Sequence, residues 1–529
     1  MGFTQDHTSP VVPTRSGPVR GVLEGGLAVF KGVPYAAPPV GPLRWRPAQP
    51  HRGWSGTLDA TAYGPSSPQA VREGDPILGG HGFAPFDEDC LTLNVWTPGL
   101  DDARRPVLVW IHGGAFISGS GAMPNYSGET FARNGDLVVV NLNYRLGPLG
   151  LLYFAAQDGA QDGALDGAAG DGEDGTEGGN VWLTDQLAAL HWVQDNIAAF
   201  GGDPGNVTVA GQSAGALSAA ALAGHAGGGR LFRQAILQSV PLAMPLATPA
   251  GALARTAAFL GAVGAKDVDE LRTMTWPRLV EATAGLLGAT TEWGYWTTPF
   301  LPVLDGVTAA RQPVENLLDG PGAAIDVLIG WTAEESAFAF ALGEAYASAT
   351  REQVLRRARD SFGDGAAEAY AAYEAARPGA RPVDVLIDLT TDELFRKPTL
   401  AFAQARAARG RPVWAYEFAL PTPAHDGRLG APHCLDLPFV FENFAAWAHA
   451  PFLAGMDPRT RDRLAGTVHR AWISFVRTGD PNHPGMERWD RYGPSSRTTM
   501  RFGADTAGTA DTPDTADTPD TADTAAGPS

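Results

Sequence analysis

Two kinds of apolar run alternate along the chain. Short continuous stretches, PVLVWIH (106–112) and DLVVVNLNY (136–144), lack polar alternation, which is the pattern of strands covered on both faces. In TDQLAALHWVQDNIAA (184–199) the period lengthens: Leu187, Leu190, Val193 and Ile197 recur at helical spacing, with Thr184 as the expected N-cap. Residues 207–210 predict a further buried strand and 214–222 a helix, after which RQAILQS, IDVLIGW and PVWAYEFAL predict more strands. This alternation predicts an α/β fold, a large mostly parallel central sheet with helices on both faces. Regions 250–320 and 340–410, rich in Ala, Leu and Arg, predict helical insertions.

Other segments carry no such pattern. The N-terminal third holds short β-rich pieces such as VRGVLEGGLAVFKGVPYA, then a Pro/Gly-rich surface wrap, PPVGPLRWRP. The Asp/Gly run at 157–179 cannot form a packed core and is expected to be a mobile acidic loop, either a flap that disfavours anionic substrates or a spacer without a role. From Ala504 the sequence repeats TADTPD without an apolar face to stack, predicting a disordered tail over 504–529. One domain is therefore expected over 14–503, after a flexible N-terminus at 1–13.

Composition narrows the function classes. With 529 residues, 44% hydrophobic and 18% charged, the chain can bury a large core. Its formal charge of −19 is concentrated: thirteen acids lie in the two low-complexity segments, leaving about −6 elsewhere, so no nucleic-acid partner is expected. The two cysteines, Cys90 and Cys434, are far apart and lack metal-ligand spacing, which fits a reducing compartment. The N-terminus has no basic region followed by an apolar one, and no run of 18 apolar residues occurs, so neither export signal nor membrane span is expected. A cytoplasmic protein, monomeric or weakly self-associating, is the expectation. The three lysines, Lys31, Lys266 and Lys397, stand in neither a phosphate-loop nor a Ser-x-x-Lys pattern.

NVTVAGQSAG (206–215) ends its apolar run in a serine hemmed in by small residues. Ser213 stands where strand becomes helix, and its simplest role is a helix N-cap. Gly211 and Gly215 argue for more: they remove the side chains that would clash around a sharp turn, as in a nucleophile elbow. A serine nucleophile needs a base to take its proton and a carboxylate to orient that base. On an α/β-hydrolase sheet the chain order is serine, acid, histidine. Glu334 and Glu335 follow a late strand, and position alone does not separate them. The base comes from His425, His433, His449, His469 or His483. WIHGGAFISGSG (110–121) has the form of an oxyanion loop following a strand.

At this point the chain resembles the type-B carboxylesterase family, which includes bacterial para-nitrobenzyl esterases, mammalian carboxylesterases and cholinesterases. The resemblance runs from Arg15 to Phe502 through FKGVPYAAPPVGPLRW, EDCLTLNVWTP, WIHGGAFISGSG, NYRLGPLGLL, TDQLAALHWVQDNIAAFGGDPGNVTVAGQSAGA, GAPHCLDLPFVF and FVRTGDPN. It implies Ser213 as nucleophile, Glu335 as acid and His433 as base, with backbone N–H groups of Gly114, Ala115 and Ala214 as oxyanion donors. It also implies a structural Arg44–Glu88 salt bridge. Several positions depart from the family pattern: Gln212 stands where many members have Glu, Ser336 follows the acid in place of glycine, and Cys434 follows the histidine where glycine is common. Ser67 occupies a position that is cysteine in secreted relatives, leaving Cys90 unpaired.

The expected activity is hydrolysis of small to medium apolar or aromatic carboxylic esters through an acyl-enzyme, without metal or cofactor. The alternatives are amide or carbamate cleavage on the same triad, or a non-catalytic adhesion homologue. Phe116, Gln212, Trp293, Tyr295, Trp296, Phe338 and Phe340 are candidates to line the substrate pocket, with core packing the competing role for each aromatic.

Overall fold

Continuous apolar runs become strands because both of their faces are covered. In the computed structural model, which describes residues 9–71, 74–80, 82–154, 178–225, 228–504 and 507–511, the strands are as follows. The N-terminal region supplies β1 (Val11–Thr14), β2 (Gly17–Arg20), β3 (Val22–Glu24), β4 (Leu27–Pro34) and β5 (Leu58–Asp59). Then come β6 (Thr92–Thr97), β7 (Arg105–Ile111), β8 (Val138–Leu142), β9 (Gly202–Gln212) and β10 (Gln234–Gln238). The remainder are β11 (Asp326–Thr332), β12 (Val413–Phe418), β13 (Thr498–Phe502) and β14 (Ala507–Asp511). Strands β1, β2 and β5 form a small sheet, and the others an eleven-stranded sheet in the order β14-β13-β12-β11-β10-β9-β7-β8-β6-β4-β3.

From β13 to β8 every neighbouring pair is parallel. Every residue of β8 and of β10 is buried, as befits parallel strands sandwiched between helices. The parallel arrangement matters for chemistry, because it brings the loops after β7, β9, β11 and β12 to one edge of the sheet. The expected mostly parallel sheet with helical insertions is therefore the observed architecture. Within the insertion regions the helices include Pro249–Val263, Trp276–Thr290 and Arg351–Phe362.

Three expectations are corrected. The N-terminus expected to be flexible over 1–13 instead pairs Val11, Val12 and Pro13, in β1, with β2, while 1–8 lie outside the described residues. The helix expected from Thr184 is α1 (Val181–Asn196), with Asn180 at its N-cap. Val181, Trp182 and Leu183 are buried and extend the helix toward its N-terminus. Thr184 lies inside it, its hydroxyl donating to the Val181 carbonyl at 2.8 Å. Within the tail expected to be structureless over 504–529, Ala507–Asp511 instead form β14, paired antiparallel to β13 with Thr498 opposite Asp511, while 512–529 lie outside the described residues. Of the acidic run at 157–179, residues 157–177 lie outside the described residues.

Two buried ion pairs fasten the loops to the sheet. The Arg44 Nε donates to Glu88 at 2.7 Å, and its Nη1 reaches the Met274 carbonyl at 2.8 Å, so the pair implied by the resemblance also ties the N-terminal wrap to the helical insertion. Sequence reasoning missed the second. Arg145, just after β8, donates to Asp185 of α1 through Nε at 2.8 Å and Nη2 at 2.6 Å, with the two side chains only 3% and 0% exposed.

Removing one member leaves the other charge buried without a partner. Asp185→Ala is expected to cost about 3–5 kcal/mol of folding stability, read as a lowered urea midpoint. The double variant Arg145→Met/Asp185→Leu is expected to recover most of that loss. A single variant as stable as wild type contradicts this account.

Candidate active site

Ser213 terminates β9 with φ 57° and ψ −122°, and its side chain makes no capping bond to helix α2 (Ala214–Gly224). The N-cap role is thus not what the hydroxyl does. A non-glycine residue held at positive φ stores strain on the order of 1–3 kcal/mol, and here crowding enforces it. A Cβ on Gly215 would lie 2.1 Å from the Ile111 carbonyl oxygen, and one on Gly211 would lie 2.4 Å from the Gly215 backbone. Strand and helix therefore pass each other through two glycines, which thrusts Ser213 out of the turn, half-exposed among buried neighbours.

The two glutamates that position could not separate have different partners. Glu335 is fully buried, accepts from the Thr332 N–H at 2.8 Å through Oε1, and lies 2.5 Å from His433 Nδ1 through Oε2. Glu334 turns the other way and accepts from the Ala431 N–H at 2.7 Å, bracing the loop that delivers His433. Burial raises the Glu334 carboxyl above its ordinary range. Three of the other four candidates are engaged elsewhere, and His449 is exposed. His425 Nε2 is 2.8 Å from the Pro76 carbonyl, His469 Nδ1 is 2.7 Å from that of Val440, and His483 Nε2 is 3.0 Å from that of Thr467. His433 is thus the histidine paired with a buried carboxylate at the sheet edge that carries Ser213.

The Nε2 of His433 lies 2.9 Å from the Nε2 of Gln212. Among the described residues no hydrogen bond joins it to Ser213. Gln212, expected as a pocket-lining residue at a position where many members have Glu, is the direct neighbour of the imidazole.

After β7, Gly114, Ala115 and Phe116 all have positive φ, at 114°, 54° and 60°. The Ile117 and Ser118 N–H groups both donate to the Gly114 carbonyl at 3.0 Å, which folds the loop into a tight turn. Ala214 opens α2, where a first-turn N–H has no intrahelical acceptor. Beneath this loop, burial pushes the His112 imidazole down to about 4. That neutral ring stacks on Tyr144 at 4.5 Å, with its Nδ1 2.9 Å from the Gly113 carbonyl.

Of the expected pocket aromatics, Trp296 and Phe338 pack on the His433 ring, with centroids at 5.2 and 5.8 Å. Phe395, which sequence reasoning missed, completes the enclosure at 5.5 Å. It sits in a π-helical turn, Asp392–Arg396, a local widening with no signature in the hydropathy pattern. The other four are placed elsewhere. Trp293 donates to the Ala345 carbonyl at 3.3 Å, and the Tyr295 ring lies under Arg357 at 4.0 Å while its hydroxyl bonds Asp360. Both fasten their loop to the helical insertion. Phe340 packs on Tyr346 and Phe116 on Trp182, each pair at 4.9 Å, and at 1% and 3% exposure both belong to the core.

A second buried carboxylate lies three residues beyond His433. Asp436 accepts from Gln238 at 2.8 Å and from the Tyr416 hydroxyl at 3.1 Å. Burial, reinforced by the Glu335 charge, pushes it up to about 6. Cys90 and Cys434 are both free, and burial drives the Cys90 thiol up to about 12.

The model of the carboxylesterase family matches residues 8–519. The chain is 47% identical to phenmedipham hydrolase of Pseudarthrobacter oxydans, covering 95% of this chain and 97% of that one. It is 35% identical to para-nitrobenzyl esterase of Bacillus subtilis, covering 93% and 94%. Among solved structures, the Geobacillus stearothermophilus carboxylesterase EST55 superposes with a TM-score of 0.81 at 36% identity, covering 96% of this chain and 98% of that one. The chain belongs to the carboxylesterase family and is an enzyme of its ester-hydrolysing class.

Proposed function

We propose that Ser213, His433 and Glu335 form the catalytic triad of a serine esterase that accepts small to medium apolar or aromatic esters. The observation that carries this reading is the uncapped Ser213 hydroxyl, forced out of its turn next in sequence to Gln212, whose amide lies 2.9 Å from Nε2 of a His433 that meets a buried carboxylate through Nδ1 at 2.5 Å. His433 Nε2 takes the Ser213 proton as the hydroxyl oxygen attacks the ester carbonyl. The resulting oxyanion is held by the N–H groups of Gly114, Ala115 and Ala214. The imidazolium then protonates the leaving alcohol. Water, deprotonated by the same imidazole, releases the acid and frees Ser213. Glu335 holds the Nδ1–H tautomer and stabilises the imidazolium throughout.

The rings of Trp296, Phe338 and Phe395 around His433 favour substrates with an aryl group, and the 47% identity to phenmedipham hydrolase supports aryl carbamates as a second substrate class. Among the described residues no helix is long and apolar enough to cross a membrane. The reading extends to a cytoplasmic enzyme, supported by the two free cysteines, working as a monomer or weak homo-oligomer.

Purified protein is expected to hydrolyse para-nitrophenyl acetate, butyrate and octanoate. Ser213→Ala and His433→Ala are each expected to lower kcat on the order of 10⁴-fold, with His425→Ala close to wild type. An inert wild type, or a Ser213→Ala variant that retains turnover, contradicts the triad. Phe395→Ala is expected to raise KM for phenyl esters roughly three- to tenfold relative to methyl esters. An equal change for both substrates removes Phe395 from the aryl subsite.

A further inference from the structure

Gln212 is 1% exposed and lies where three loops of the site meet. It immediately precedes Ser213, and its amide Nε2 is 2.9 Å from His433 Nε2. Its Oε1 lies over the oxyanion loop, where a Cβ added to Gly113 would meet it at 3.0 Å. On the remaining side its side chain is within hydrogen-bonding reach of the Cys434 thiol. With Glu335 2.5 Å from Nδ1, the imidazole carries its proton on Nδ1 and leaves the lone pair on Nε2. The group that meets this lone pair is the Gln212 amide.

We propose that Gln212 is a positioning residue for the reaction: its amide N–H caps the His433 lone pair that receives the Ser213 proton, favours the neutral imidazole, and sets the low-pH edge of activity. The role rests on the hydrolase reading above. A donor aimed at Nε2 is satisfied only while that nitrogen is unprotonated. Once Nε2–H forms, two donors face each other and the amide must turn away, so the bond favours the neutral form.

The groups packed around His433 show what the amide works against. Glu335 faces it through Nδ1, and Asp436, anchored by Gln238 and Tyr416, lies on the same loop. Both are acidic neighbours of the ring. The Cys434 thiol is held neutral by burial, and Trp296, Phe338 and Phe395 present rings rather than charges. A carboxylate at position 212 would add a third acidic neighbour. The amide instead opposes the other two, keeping the base ready at lower pH, and yields when Ser213 engages the same nitrogen.

The test is the pH profile of kcat/KM for para-nitrophenyl acetate, whose acid limb reports the free enzyme, in full-length wild type, Gln212→Glu and Gln212→Leu. The acid limb is expected to move to higher pH by about one unit or more in Gln212→Glu, where the carboxylate accepts from Nε2–H. In Gln212→Leu it is expected to rise by about half a unit, as the capping bond is lost without a new charge. Gln212→Glu is nearly isosteric and decides the matter if the leucine variant does not fold. An active wild type with an unmoved limb in Gln212→Glu, or an unmoved or lowered limb in Gln212→Leu, overturns the positioning role alone. An inert wild type overturns the hydrolase reading, and this role falls with it.

Discussion

Where β9 turns into α2, backbone passes so close to backbone that a side chain on Gly215 would meet the Ile111 carbonyl at 2.1 Å. That approach joins β7, β9 and α2 into one rigid unit. It forces Ser213 to φ 57°, a strain repaid by the burial of β7, β9 and β10 between helices. The loop of Gly114, Ala115 and Phe116 leaves the end of β7, so the packing that exposes Ser213 also fixes where that loop stands relative to it. Glu335 and His433 arrive on loops after β11 and β12, carried to the same edge by the parallel order of the strands.

Much of this was legible in the sequence because it follows from local rules. Continuous apolar runs marked β7, β8 and β10, and the glycines flanking Ser213 marked the elbow. The paired glutamates and the five histidines remained ambiguous, since their roles depend on which loop each faces. Glu334 and Glu335 are adjacent, yet one braces Ala431 and the other faces His433. Resemblance chose between them where spacing did not. The pocket was least legible: in 293–296 two aromatics fasten the loop outward and only Trp296 turns to the imidazole, while Phe395 arrives from a π-helical turn about a hundred residues later. Aromatic side chains serve core and pocket with the same atoms, so composition does not assign them.

Behind the reacting groups lies a polar layer that distance in sequence conceals. Trp472 donates to Gln238 at 2.9 Å, Gln238 and Tyr416 hold Asp436, and Arg145 is locked to Asp185. These contacts join residues separated by tens to hundreds of positions and give no periodic signal. They are nonetheless what holds the His433 loop and α1 against the sheet, because buried polar groups must be satisfied where they stand. Gln212 belongs to this layer and also meets the His433 imidazole at 2.9 Å, which places a neutral amide beside that ring.

The most direct test of the account is the site of covalent attack. Treating the native protein with diethyl para-nitrophenyl phosphate transfers a diethylphosphoryl group to an activated nucleophile and releases nitrophenolate, and peptide mapping by mass spectrometry then locates the adduct. The account predicts one diethylphosphoryl group per chain, on Ser213, with loss of ester turnover in step with labelling. An adduct on another residue with turnover lost in step, or turnover that persists with Ser213 fully labelled, would contradict it.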